Sequence, residues 1–356
     1  MKIFLIFLEK KKNFLIFGTG GSNLGSKALI NILQGSENLN IFFFDNIDPI
    51  NFENSINKID LKKSGFVFIS KSGTTPETLS QFACLVEIFE QKNCLDLFFE
   101  NTIIITENKD SPLANIGHSH NCKILYHEKD IGGRYSIFSN VGMVPAIISG
   151  LDVRNIHAGA LEEINRFSKY EFLQIGQFFR YQNLFKNLNS SVIMTYTDSL
   201  YFFGKWYLQL WAESIGKDNK GITAIHSVGT TDQHSQMQLY LDGPKDKFFT
   251  FITTNHSSKG FKLHNKTMKE NDVKYLIGKT MGDLMQAEQK ATIDTFKLNN
   301  ICFREIYIEK INEFSIGKLM AFSIMETIAA CLYFDVNPFN QPAVEQGKVL
   351  TREYLS

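Results

Sequence analysis

Six short segments of the sequence concentrate groups that can do chemistry. The first, Gly18-Thr19-Gly20-Gly21-Ser22-Asn23-Leu24-Gly25, is a glycine-rich turn between an apolar run and a helical pattern. Glycine lets backbone N–H groups approach an anion, and the positive helix end favours a phosphate there. Two nucleotide motifs nearly fit. A dinucleotide fingerprint would need its third glycine at Asn23, although Asp45 stands where a ribose ligand would; a triphosphate loop would need Gly-Lys-Ser/Thr at Gly25-Ser26-Lys27. A tight turn without a ligand is the ordinary alternative. The second segment, Ser70-Lys71-Ser72-Gly73-Thr74-Thr75-Pro76-Glu77-Thr78, crowds hydroxyls and amides into one turn. Thr75 suits an N-cap and Pro76 the first helical position, while directed hydroxyl bonds suit a monophosphate. A plain capped helix start is the alternative.

In the third, Ile131-Gly132-Gly133-Arg134-Tyr135-Ser136, a guanidinium follows two glycines and could meet a carboxylate, a phosphate or a developing oxyanion. A surface ion pair would use the same residue. In the fourth, Leu200, Phe203, Tyr207, Leu210 and Trp211 mark the buried stripe of a helix. Gln209 and Glu213, four apart, share a different face just before Gly216. Glu213 is a base if it faces a cleft, and half of a solvated pair with Lys217 if it does not. The fifth, Gly229-Thr230-Thr231-Asp232-Gln233-His234-Ser235, offers an imidazole that can titrate near neutral pH or serve only structurally. The sixth, Asn337-Pro338-Phe339-Asn340-Gln341-Pro342, is a rigid turn leading into a helix with Lys348, a residue ordinarily exposed.

Ligands of wound α/β sheets bind beyond the carboxyl ends of strands, so the elements before these segments matter. Apolar runs at 14–17, 41–44, 66–69, 102–106 and 123–126, with helical patterns at 24–34 and 76–92, predict buried parallel strands alternating with helices. The alternation restarts with 192–196, a helix from Ser199, then 222–228, 248–252, a helix near 284–298 and 301–308. Residues 141–180 read as helical linkage and 253–271 as polar surface loop. The fold class expected is α/β: two doubly wound parallel sheets with helices on both faces. The division expected is a first domain over 1–150, linkage over 151–188, a second domain over 189–335, and a C-terminal helix over 336–356 completing the site.

The chain of 356 residues exceeds the roughly 250 at which one core stops growing. Hydrophobic residues at 44% and charged ones at 21% fit a folded, soluble protein. Its 37 basic residues balance 37 acidic ones, so nothing general draws it to nucleic acid or an anionic membrane. No uncharged stretch reaches the ~18 apolar residues of a spanning helix, and residues 1–8 read as entry to the fold, not as a signal peptide. Cys84, Cys94, Cys122, Cys302 and Cys331 are scattered without a CxxC pair, as reduced thiols in a cytoplasm would be. No cluster has metal-ligand spacing, so no metal is expected.

Together the runs GTGGSNLGSKAL, ISKSGTTPETL, IGGRYSIFSNVG, LWAESIGK, GTTDQHSQMQL and VNPFNQPAVEQGK resemble the successive signature segments of the phosphoglucose isomerase family, in that family's order, from Gly18 to Lys348. The resemblance implies two sugar-isomerase (SIS) domains and a cytoplasmic enzyme of glycolysis and gluconeogenesis. It would interconvert glucose 6-phosphate and fructose 6-phosphate without metal, nucleotide or other cofactor. On matching positions Ser70, Ser72 and Thr75, with Lys71 nearby, would hold the phosphate, and Gly21 and Ser22 would border the sugar. Arg134 would stabilise a cis-enediolate and Glu213 would carry the proton between C2 and C1, with Gln209 and Gln341 positioning the ligand. His234, oriented by Glu77, and Lys348 would assist ring opening. A homodimer with shared active sites is also implied, His234 reaching the neighbouring site. The sequence departs from the family in the short segment before Gly18, which bears on stability and dimer contacts, and in Thr19 where isoleucine is usual. A non-catalytic SIS-type regulator would have no use for Glu213, His234 and Lys348 together. A nicotinamide-dependent dehydrogenase would use the first turn and Asp45, against which Asn23 stands.

Overall fold

The computed structural model describes residues 11–35, 39–170, 188–266, 268 and 271–356. Strands β1 (Asn13–Phe17), β2 (Asn40–Phe44), β3 (Ser64–Ile69), β4 (Thr102–Thr106) and β5 (Lys123–Tyr126) form a parallel sheet in the order β2-β1-β3-β4-β5. Strands β6 (Ser190–Thr195), β7 (Thr223–Val228), β8 (Lys247–Thr254) and β9 (Phe303–Ile308) form a second in the order β7-β6-β8-β9, again parallel throughout. Winding reverses between β1 and β3 in the first sheet and between β6 and β8 in the second. The turns at 18–23 and 70–75 therefore leave neighbouring strands at the switch point, where such sheets bind ligands.

The helices before the second sheet are α1 (Leu24–Leu33), α2 (Pro49–Ile56), α3 (Pro76–Gln91), α4 (Leu95–Glu100), α5 (Pro112–Ser119), α6 (Asn140–Ile148) and α7 (Val153–Tyr170). Those after its first strand are α8 (Tyr201–Ile215), α9 (Met237–Asp242), α10 (Met281–Leu298), α11 (Glu313–Tyr333) and α12 (Glu345–Leu355). Pleating sends alternate side chains of β1 to opposite faces. Phe14 and Ile16 pack with Val141, Val144 and Ile148 of α6, while Leu15 and Phe17 join Phe82 and Leu85 of α3 and Phe98 of α4. A third core belongs to both sheets: Ala28, Leu29 and Ile32 of α1 meet Phe203, Tyr207 and Leu210 of α8 and Ile316 and Met320 of α11.

The strand alternation follows the sequence reading. Helix α11 does not, because its apolar residues lie on all sides and give no single-face period. It is the one described helix long and apolar enough to cross a membrane, and it packs along α7 and α8 within the fold. Of the expected linkage over 141–180, α6 and α7 account for the described part; residues 171–187 and the entry segment at 1–8 lie outside the described residues.

Strand β7 presents His226 to α8 at Gly204, where an added Cβ would come within 2.3 Å of the ring; one ring nitrogen shares a 3.1 Å hydrogen bond with the Thr195 hydroxyl. Burial, with a smaller push from the Lys205 charge, lowers its pKa from 6.5 to about 4. The unfolded chain therefore takes up the proton first, so stability present above about pH 6.5 is lost as pH falls toward 4, by up to ~1.4 kcal/mol per unit. Urea midpoints at pH 7 and 5 should fall further for the unaltered protein than for His226→Asn. Equal losses would remove His226 as the cause.

Candidate active site

Arg134 is fully buried, and all five of its N–H donors are engaged. Nε donates to Ser214 Oγ at 2.8 Å; Nη1 donates to Gln341 Oε1 at 2.6 Å and reaches Glu213 Oε2 at 3.4 Å; Nη2 donates to the carbonyls of Pro338 and Asn340. Tyr135 Oη shares a 2.7 Å bond with Ser214 Oγ and donates to the Pro338 carbonyl at 3.1 Å. A buried guanidinium is stable only when paired and hydrogen-bonded, and these acceptors meet that need. Burial raises the Tyr135 pKa, partly offset by the bond with Ser214, so the hydroxyl remains a donor.

Helix α8 supplies the carboxylate. Phe203, Trp206, Tyr207, Leu210 and Trp211 bury one side of it, which turns Gln209 and Glu213 toward Arg134. Gln209 Nε2 donates to Glu213 Oε1 at 2.8 Å, and Gln209 Oε1 is buried without a protein partner. Both carboxylate oxygens are thus aligned by donors. Lys217 does not form the solvated pair that its spacing allows. Its Nζ donates to the backbone carbonyls of Glu213 and Ser214, where a cation complements the helix C-terminus. Burial, then the nearby Arg134 charge, lowers its pKa.

The first glycine turn closes against this centre. A Cβ on Gly21 would lie 2.2 Å from the Gly133 carbonyl carbon and 2.6 Å from Arg134 N, so only glycine permits the approach. Gly21 and Ser22 belong to the single helical turn entering α1. Neither nucleotide motif is built here. Asp45 Oδ2 is paired with Lys27 Nζ at 2.8 Å, and Asn23, at 0% exposure, fills the place of the third glycine.

At the second turn Ser70 Oγ bonds Thr75 Oγ1 at 2.7 Å and accepts from Gly73 N at 3.1 Å, while Ser72 Oγ accepts from Thr74 N and Oγ1. Gly73, at φ +67°, would press a Cβ to 2.1 Å from Ser111 Oγ. The N-cap expectation for Thr75 is corrected in one respect. Thr75 holds the position, but its hydroxyl faces Ser70 and caps nothing, which leaves the first amides of α3 without a side-chain partner. Lys71 points away, to the carbonyls of Lys129 and Ile131.

Glu213, Arg134, Gln209 and Gln341 are therefore joined directly, with Gly21 packed against them. His234 is exposed, and among the described residues no hydrogen bond or ion pair joins it to Glu77 or to the Arg134 centre. Lys348 is exposed on α12 and paired with Glu345 at 2.7 Å. Ser214 bonds Arg134 and Tyr135 bonds Ser214, and no motif in the sequence marks either residue for that part. Adjacency to Glu213 and Arg134 was their only signal. Among the described residues no group of three or more His, Cys, Asp or Glu could hold a metal ion.

Two parallel sheets wound by helices bring an arginine and a glutamate together beside the glycine-rich turn that follows β1, and the hydroxyl-rich turn follows the neighbouring strand β3. The family model for phosphoglucose isomerase matches residues 8–356. A probable glucose-6-phosphate isomerase of Methanococcus maripaludis is 35% identical, aligned over 98% of this chain and 80% of that protein. A glucose-6-phosphate isomerase of Campylobacter jejuni is 32% identical over 99% of this chain and 88% of its own length. Among solved structures, a hypothetical protein of Thermus thermophilus superposes with a TM-score of 0.91 at 27% identity, covering 100% of this chain and 87% of that one. The fold is shared as well by a glucose-6-phosphate isomerase of Chlamydia trachomatis, with a TM-score of 0.85 at 22% identity over 99% of this chain and 71% of that one. The chain belongs to the phosphoglucose isomerase family and is an aldose–ketose isomerase.

Proposed function

We propose that this isomerase interconverts glucose 6-phosphate and fructose 6-phosphate through a cis-enediolate in the cytoplasm. The observation that carries the reading is the approach of Glu213 to Arg134 at 3.4 Å, beside Gln209 and Gln341. Ser70, Ser72, Thr75 and the uncapped amides of α3 take the phosphate, and Gly21 and Ser22 border the sugar. Glu213 removes the C2 proton and returns it to C1 on one face, while Arg134 stabilises the charge gathering on the enediolate oxygens. Gln341 and the free Oε1 of Gln209 orient hydroxyls. His234, oriented by Glu77, and Lys348 assist ring opening. The units run over 1–150, 151–188, 189–335 and 336–356, a division supported by sheets whose strands span 13–126 and 190–308.

The working form is a homodimer with composite sites. Helix α12 has no buried residue and exposes Val349, Leu350, Tyr354 and Leu355, and a helix of 11 residues is marginal alone, so it calls for a second surface. His234 then completes the site of the neighbouring copy. Purified protein should form glucose 6-phosphate from fructose 6-phosphate in a coupled assay, and absence of turnover would overturn the reading. The dimer has its own test. Glu213→Gln and His234→Ala chains, each nearly inactive, are unfolded together and refolded in equal amounts. About a quarter of all sites should regain wild-type composition by random two-fold pairing. Mixed dimers, verified by mass spectrometry, that recover no activity would place His234 in its own chain's site.

A further inference from the structure

The sequence places Lys71 inside the phosphate turn, yet its ammonium is spent elsewhere. Nζ donates to the carbonyl of Lys129 at 2.7 Å and to that of Ile131 at 2.9 Å, and lies 3.5 Å from Glu107 Oε1. An ammonium has three donors, so this set accounts for all of them. The acceptors are fixed in turn. Burial acts against ionisation of Glu107, yet Lys109 at 2.5 Å and Lys71 hold its carboxyl below the usual range. The Lys71 carbonyl accepts from Glu107 N at 3.2 Å, which anchors the base of the side chain at the end of β4.

Ile131 lies three residues before Arg134, and the intervening Gly132 and Gly133 have no side chains of their own with which to pack. Tyr135 N and Ser136 Oγ close the turn on the carbonyls of Gly132 and Gly133, and from outside it the segment meets Gly21 at Gly133 and the Lys71 ammonium at the carbonyls of Lys129 and Ile131. We propose that Lys71 is a positioning residue and not a phosphate ligand: it ties the turn at 70–75 to the turn at 129–134, so that phosphate capture and the placement of Arg134 are one mechanical unit. This rests on the isomerase reading above and adds to it a route by which binding energy from the phosphate, remote from the reacting carbons, acts at them.

The experiment uses the full chain with Lys71→Met, which keeps the aliphatic stem and removes every donor. Turnover should fall ~10- to 100-fold, the scale of an ångström-sized misplacement of a catalytic group. The inhibition constant of inorganic phosphate should stay within about twofold, since this reading leaves the phosphate contacts intact. Hydrogen exchange of amides 129–134 should quicken at least about fivefold while that of β1 stays unchanged, because local openings are separable from global ones. A tenfold weaker phosphate inhibition with turnover kept would make Lys71 a phosphate ligand and overturn the proposal, as would unchanged exchange at 129–134. Should Lys71→Met fail to fold, Lys71→Gln, which retains an amide donor, is read the same way. If the unaltered protein lacks isomerase activity, that reading fails by itself, and the phosphate titration and amide exchange still decide the role of Lys71.

Discussion

Glu213→Gln should still bind sugar phosphate and should lose turnover by ~10²–10⁴-fold, the usual loss for a missing general base. The structure makes the exchange sharper than a simple loss of basicity. Both carboxylate oxygens face donors, Gln209 Nε2 at 2.8 Å and Arg134 Nη1 at 3.4 Å. An amide can satisfy one of them and must turn its own NH2 toward the other. Calorimetric binding of fructose 6-phosphate together with solvent exchange of a C2-deuterated substrate separates the two effects. Binding kept and exchange abolished is the expected pair. Exchange at the original rate would end the assignment of Glu213 as base.

Arg134→Lys should be nearly as damaging, although charge is conserved. One ammonium with three donors cannot replace a fork that serves Ser214, Glu213, Gln341 and the carbonyls of Pro338 and Asn340 at once. Removing such a preorganised donor set costs ~10²–10³ in turnover, about 3–4 kcal/mol of transition-state stabilisation. A second effect should accompany it. Arg134 pins the turn at 338–341 from which α12 departs, so limited proteolysis should cut that region sooner in the variant. Near-normal turnover with unchanged cleavage would show that the engagement of Arg134 is incidental. Because every N–H is taken, the proposed reading requires substrate oxygens to displace Glu213 Oε2 or Gln341 Oε1 from Nη1. The arginine is held in place before the ligand arrives, as preorganised electrostatic catalysis requires.

What could be read from residues alone follows the range over which each signal acts. Strand runs such as 14–17 and the Gln209–Glu213 spacing are local, and the fold keeps both. The burial of Arg134 is not local, since its acceptors Pro338 and Asn340 lie some two hundred positions away. Thr75 was legible as the residue at a helix start, but its hydroxyl had a competing partner in Ser70 that propensity does not weigh. Lys71 sits in a phosphate motif by position and leaves it by side-chain direction, which sequence does not encode at four rotatable bonds. Helix α11 lacked a period because it is packed on several sides.

The core shared by α1, α8 and α11 bears on how this protein can vary through inheritance. Leu29 on α1, which follows a strand of the first sheet, and Phe203 on α8, which follows a strand of the second, are both at 0% exposure in the same packed cluster. A recombinant gene joining the first sheet of one relative to the second sheet of another would bring together two surfaces shaped by separate histories. Such a chimaera would carry matched catalytic residues on mismatched helices, and its loss would appear as poor folding even with every reacting group present. Chimaeras that exchange whole chains or loops outside that seam should therefore fold better than ones cut along it, and substitutions along it should be best tolerated in compensating pairs, one on each side.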